Sequence, residues 1–341
     1  MRPHDLGDVE VPVMKLGPVA VVEVDEISGP SSWSVLKDRQ IFVIAVIAVV
    51  VASLAVPQFA TVGNVEALLV SVSLAGLAAI GMTLVVISGS LADLSVPAQV
   101  ALGSIVGLML DERGYGFAIA LLGGVCAAML VGLTNGVVIA AGGNPILVTL
   151  AVLTVVKGIN QGLNDSNAVY GYPGTLKDFA NASLGPVPVL VVVFFSAAVA
   201  IQFVLRKTRF GFNVYAVGAN RSSARVSGLP VRRTLIGAFV ISAALAGLAG
   251  VLAGAYGSQA DFNVGAGYEI YALTAVVIGG TSLFGGKGDA ARTVVGVLLL
   301  GVITNVMILL NLPTALQPVV TGLLIVAVVG GDAIARRGRS R

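Results

Sequence analysis

Eight stretches of this chain carry no charged side chain: 40–65, 67–92, 94–110, 114–156, 179–205, 234–260, 270–286 and 293–331. A bilayer core about 30 Å thick takes about 20 apolar residues per helix, and the runs divide on that scale. Two of them are double length. Gly142-Gly143-Asn144-Pro145 breaks the first of these, and Asn311-Leu312-Pro313 breaks the second. Charged residues make up only 11% of the 341 positions and hydrophobic residues 57%, with a mean hydropathy of +0.98. Soluble domains carry about 25% charge. The expected fold is an all-α membrane protein: a polytopic bundle of about ten transmembrane helices, some broken, spanning residues 41–331.

Orientation follows from charge. Residues 206–233, RKTRFGFNVYAVGANRSSARVSGLPVRR, hold seven arginines and lysines and no acid. Such an excess beside helix ends lies on the cytoplasmic side. Parity over ten spans then places both termini inside, together with Lys287, Arg292 and the basic tail 332–341 with Arg336, Arg337, Arg339 and Arg341. The loops 111–116, 164–186 and 257–269, where acids match or outnumber bases, fall outside. Residues 1–40 have four basic and seven acidic side chains. They read as a cytoplasmic tail, partly disordered, with an interfacial segment near Trp33. They do not read as a signal peptide, because the acids are misplaced and no apolar core follows the start.

Several chemistries are excluded. Cys126 is alone and His4 is the only histidine, so no disulfide framework or cysteine-based metal site is expected. No Ser/His/Asp arrangement, no His-Glu-x-x-His and no paired carboxylates stand out, so no catalytic residue, metal or cofactor is assigned to this chain. The nearest phosphate-loop candidate, Thr281 to Gly288, lacks the leading glycine and has Gly288 where Ser or Thr would meet magnesium. Gly265-Ala266-Gly267 lacks the third glycine of a dinucleotide fingerprint. The stretch from Ile278 to Gly288 reads instead as a break in the eighth span. The net charge of +3 comes from the central loop and tail and reports topology rather than nucleic-acid binding.

Three sets of residues remain. Gly103/Gly107, Gly132/Gly136 and Gly250/Gly254 are small-xxx-small pairs that suit close helix packing. Asp93, beside Ser88, Ser90 and Ser95, stands between two spans, and Asn135, Asn144, Asn160, Gln161 and Asn305 fall in or at the ends of others. Polar groups at that depth either bond between helices or line a path. In the basic loop, Gly211, Gly218 and Gly228 permit sharp turns. Residues 213–218 form an apolar strip, and Ser222 to Ser227 begins with hydroxyls able to cap a short helix. Such a helix, presenting Val226 with Tyr215 and Val217 beside it, suits a partner's groove.

From about Arg206 onward the chain resembles the permease subunit of ribose-type ABC sugar importers, in the superfamily of branched-chain amino-acid permeases. The resemblance rests on Thr208-Arg209-Phe210-Gly211, the run from Val214 to Asn220, Ala224 to Leu229, Ala246 to Gly250, Gly265 to Glu269, AVVIGGTSLFGGKG at 275–288, and Leu300-Gly301 with Asn305. GMTLVVISGS at 81–90 and Asn144-Pro145 with Val148-Thr149-Leu150 extend it loosely upstream. The chain departs from the family pattern at Gly89 to Pro97, which carries an extra residue and ends in proline, at Phe212, and at Arg292-Thr293.

The resemblance implies an ATP-driven importer in the bacterial inner membrane, passing a monosaccharide or polyol. The chain would bind no cofactor, ATP and magnesium residing in a partner ATPase. That ATPase would act on Arg209, Phe210, Gly211, Tyr215, Val217, Gly218, Asn220, Arg221, Ala224, Arg225 and Gly228. The cargo would pass Ser90, Asp93, Ser95, Asn135, Asn144 and Asn305. An extracytoplasmic substrate-binding protein would meet Glu269, and a second permease copy or paralogue would complete the pore. A branched-chain amino-acid permease and an ion-driven secondary transporter, for which only Asp93 and Lys157 come near a charge pair, are the competing readings.

Overall fold

The computed structural model describes residues 32–170 and 174–337. The tail assigned to 1–40 lies outside them except for the first turns of α1, as do Arg339 and Arg341 of the basic end. Contacts divide the chain after Arg39, and the architecture below is that of the unit beginning at Gln40.

In chain order the elements are α1 (Ser32–Ala55), α2 (Val62–Ile87), α3 (Val96–Glu112), α4 (Phe117–Ala140), α5 (Pro145–Leu163), β1 (Val169–Tyr170), α6 (Thr175–Ala180), β2 (Ser183–Leu184), β3 (Val187–Pro188) and α7 (Val189–Lys207). There follow α8 (Arg209–Ala219), α9 (Arg221–Val226), α10 (Val231–Gly257), β4 (Gln259–Ala260), α11 (Tyr268–Ile278), α12 (Ala290–Leu309) and α13 (Leu316–Arg337). The protein is a multi-pass helical membrane protein. Six helices, α2, α4, α5, α7, α10 and α12, are long and apolar enough to cross a bilayer, and α11 and parts of α1 and α13 are shorter apolar helices.

Helix starts follow local chemistry. Asn144 Oδ1 accepts the amides of Ile146 and Leu147 at 3.0 and 3.4 Å ahead of Pro145, which fixes the start of α5. Asp289 Oδ1 accepts the Ala291 amide at 2.9 Å and starts α12.

The core forms around α2 and α10. α2 is buried without interruption from Val72 to Ile87, whereas α4, α5 and α7 leave apolar flanks such as Leu122, Leu147, Phe195 and Phe203 exposed, as lipid-facing helices do. α10 packs on α2, α3 and α4, and the six paired glycines lie at those crossings. A Cβ on Gly103 would sit 2.6 Å from the Gly247 carbonyl, and one on Gly136 would sit 2.7 Å from Ile236 Cα. Backbone approach of this kind drives helix association where lipid removes the hydrophobic incentive.

One expected span ends early, and the break expected at Ile278 to Gly288 is present. α2 stops at Ile87, so 88–95 is irregular, with left-handed backbone at Gly89 (φ 77°) and Leu91 (φ 59°). α11 stops at Ile278, leaving 279–289 without helix. The basic loop also differs from expectation, because it is helical almost throughout. The apolar strip at 213–218 lies within α8, which Thr208 caps by accepting the Gly211 amide at 3.1 Å. The cap of α9 is Asn220, whose Oδ1 accepts the Ser223 amide at 2.9 Å, rather than the serines.

The loops gather into two groups. β1 pairs antiparallel with β4, Val169 opposite Ala260, and the Phe117 and Phe179 rings stack tilted at 5.0 Å, which joins the segments expected outside. The 88–95 turn, α8, α9 and the 279–289 segment meet one another, as detailed next.

Candidate functional site

Three places in the bundle concentrate polar chemistry. The first is a junction of backbones beneath α8 and α9. The Gly286 amide donates to the Ile87 carbonyl at 2.8 Å, and Tyr215 Oη donates to the Gly288 carbonyl at 2.9 Å. Gly218 lies between these strands of chain. A Cβ there would overlap the Ile87 carbonyl and stand 2.7 Å from the Gly286 amide, while one on Gly285 would stand 2.6 Å from the Gly218 carbonyl. Only glycine lets the three segments close on one another.

Arg221 pins the junction. Its Nη2 donates to the Gly89 carbonyl and to Ser90 Oγ, both at 3.0 Å. Burial pushes this guanidinium down from its ordinary value. On the other flank, Asp289 takes Gln202 Nε2 at 3.1 Å and pairs with Arg206 at the end of α7. Burial alone would push the Asp289 carboxyl up, but the donors from Arg206 and Gln202 outweigh it and hold the group below the usual carboxylate range.

The residues assigned to the coupling loop thus separate by depth. Gly211, Val217, Gly218 and Ala224 are buried in this chain's own packing, and Phe210, Tyr215 and Arg221 are half-buried. Val217 therefore offers no surface beside Val226, because it packs with Ala224, Val231 and Leu235. Arg209, Asn220, Arg225 and Gly228 are exposed, as are two large apolar side chains, Phe212 at 64% and Val226 at 90%. Phe212, in the sequence a departure from the family pattern, is thus an exposed side chain of α8.

The second place is a fully buried polar knot. Asp93 Oδ1 accepts the Ser95 amide at 2.9 Å, Ser95 Oγ at 2.6 Å and Asn135 Nδ2 at 3.4 Å, and Oδ2 accepts Gln99 Nε2 at 2.9 Å. Gln99 and Asn135 also donate to Ser95 Oγ at 2.8 and 2.7 Å. Every donor to the carboxyl is neutral, and Lys157 is exposed elsewhere. Gln99 went unnoticed in the sequence; its place six residues after Asp93 at the start of α3 is the signal that could have found it.

The third is a cavity of about 700 Å³ between α2, α11, α12 and α13. Asn64 and Asn305 exchange amide hydrogen bonds across it at 2.9 Å each. Glu269 and Tyr271 line its wall, and Tyr271 Oη is taken up by the Val297 carbonyl at 2.9 Å. Of the six residues expected along one path, only Asn305 lies here. Ser90 is in the junction, Asp93, Ser95 and Asn135 form the knot, and Asn144 caps α5. Glu269, expected at a docking surface, lines this same cavity.

Residues 64–329 match the family model described as "Branched-chain amino acid transport system / permease component". The chain belongs to this permease family. Within it, the chain is 35% identical over 309 residues to the D-allose transport system permease protein AlsC of Escherichia coli (strain K12), covering 89% of this chain and 94% of that one. It is 35% identical over 308 residues to the L-arabinose ABC transporter permease protein AraH of Azospirillum brasilense, covering 90% and 91%. It is also 35% identical over 289 residues to the ribose import permease protein RbsC of Bacillus subtilis (strain 168), covering 83% and 88%. No solved structure matches the chain. The family match spans the knot, the cavity and the junction, so all three belong to the permease body.

Proposed function

We propose that this chain is the membrane-spanning subunit of an ATP-driven importer that carries a monosaccharide or polyol across the bacterial inner membrane. It crosses ten times with both termini inside, receives cargo from an extracytoplasmic binding protein, and pairs with a second permease copy and with ATPase subunits. The kinship with allose, arabinose and ribose permeases supports the cargo class. The gathering of the expected outer loops at one end, and of the 88–95, 206–233 and 279–289 segments at the other, supports the topology.

The observation that carries the mechanism is Arg221 bound to the 89–90 turn. A partner pressing on the exposed face of α8 and α9, with Phe212 and Val226 as anchors, moves Gly218 and Arg221. Those move the end of α2 and the start of α12, and the packed helices rock as bodies. Arg221 acts inward as a strut, and Arg225 stays available outside. The neutral surroundings of Asp93, with Lys157 remote, give an ion-driven transporter no charge pair to work with.

The test is ATP-dependent uptake of labelled D-allose, L-arabinose and D-ribose by sealed vesicles holding this chain with its ATPase and binding protein. Uptake by this chain alone, driven by an ion gradient, would refute the reading.

A further inference from the structure

Among the described residues, the cavity between α2, α11, α12 and α13 has a single charged lining residue, Glu269, and no lysine, arginine or histidine. Its other polar walls are amides and hydroxyls, among them Ser71, Thr304 and Gln317. Glu269 sits in the first turn of α11 and lines the cavity. Its Oε2 is buried and has no hydrogen-bond partner among the described residues. A buried acceptor without a donor is costly, and a turn of the side chain toward the cavity that Glu269 already lines would let an arriving hydroxyl relieve that cost.

We infer that Glu269 is the residue that selects the cargo, its free carboxylate oxygen accepting a hydroxyl of a neutral polyhydroxylated molecule while its charge, unopposed by any cation in the cavity, turns away carboxylates and phosphates. This rests on the importer reading above and narrows it. A cavity of about 700 Å³ falls in the range that holds small ligands with water. The two tyrosines on the α11 side offer ring surface rather than charge, and Tyr271 has its hydroxyl committed to Val297. A zwitterionic amino acid would bring its carboxylate beside Glu269 and find no positive group to hold it, so the same wall that accepts a sugar hydroxyl rejects the cargo named in the family description.

The experiment uses the full chain in lipid nanodiscs and saturation-transfer NMR, with D-allose, L-arabinose and D-ribose as probes and L-leucine and D-ribose 5-phosphate as comparators. The wild type gives signal from at least one neutral sugar and none from either comparator. Glu269→Ala weakens sugar binding by about tenfold or more, as loss of a charge-assisted bond requires. Glu269→Gln keeps an acceptor oxygen without the charge, so it retains part of the sugar signal and gains ribose 5-phosphate binding. An unchanged melting temperature and gel-filtration profile in Glu269→Gln separates this from a folding defect. Sugar binding unaltered in both variants, or leucine bound as well as sugar by the wild type, overturns the inference and leaves the importer reading standing. A wild type that binds none of the sugars overturns both.

Discussion

Gly218→Ala adds one methyl group at the point where three backbone segments meet. The new Cβ would stand 2.7 Å from the Gly286 amide nitrogen and overlap the Ile87 carbonyl. Both obstacles are main chain and cannot swing aside, so α8 must withdraw. Bringing the Gly286 amide alone to ordinary contact, about 3.4 Å, takes a shift of about 0.7 Å, and clearing the nearer Ile87 carbonyl takes more. Carried into α9, a displacement of that size or larger stretches the two Arg221 bonds from 3.0 Å to beyond about 3.7 Å, past hydrogen-bonding range. Overpacking of this kind costs about 1–3 kcal/mol, and the lost bonds about 1 kcal/mol each. The expected result is a lower melting temperature and a loss of substrate-stimulated ATP hydrolysis in the assembled importer, with membrane insertion intact. Gly228→Ala is the contrasting variant. That residue has φ 75° but open space around its Cβ, so the change costs only the left-handed backbone, about 1–2 kcal/mol, and leaves ATPase stimulation near wild type. If Gly218→Ala melts and stimulates like the wild type, or if the two variants uncouple equally, the argument that force passes through close main-chain contact is refuted.

Further outcomes follow from the other features. Asp93→Ala leaves the Ser95, Gln99 and Asn135 donors facing a void and destabilises the purified chain by about 3 kcal/mol or more, read by thermal unfolding in detergent; Asp93→Asn loses less because it keeps an acceptor oxygen. Because the Asp289 carboxyl is held below its ordinary value, its contribution is present above the unfolded value and disappears as pH falls through the lowered one. Wild type therefore melts higher than Asp289→Asn at pH 7, and the two converge as pH falls through that lowered value. In a Cys126→Ser background, a cysteine at Ser222 is modified by an impermeant maleimide only from the cytoplasmic side, and one at Asn263 only from outside; the opposite pattern would invert the topology.

Much of the bundle was legible because membranes simplify the code. A charge-free run of the right length reads as a helix whatever it packs against, and the glycine pairs named their own crossings. The early end of α2 was harder to place, because the left-handed backbone at Gly89 and Leu91 shows only in the fold, whereas the glycines of 279–288 announced the end of α11 in the sequence itself. In the basic loop, Gly211, Val214, Val217 and Gly218 make up the buried side of α8, but a strip of six residues was too short to reveal its helical period. The site residues divided for a different reason. Asp93, Asn144 and Asn305 look alike in sequence as polar residues among apolar ones, yet one ties a knot, one starts a helix and one borders a cavity. Which of these a buried amide does depends on neighbours dozens of positions away, such as Asn64 for Asn305. Arg221 and Arg225 likewise share a charge and a loop, and only the fold turns one inward and the other out.

The buried course of α2 joins matters that the chain keeps far apart. Asn64 and Val72 border the cavity near its beginning, and Ile87 receives the Gly286 amide at its end. From Val72 to Ile87 is about 22 Å of continuous helix at 1.5 Å per residue, sheathed by neighbours on every side. In the proposed mechanism such a rod has the cavity at one tip and the junction at the other, so a push delivered at Ile87 reaches Val72 with no joint between them.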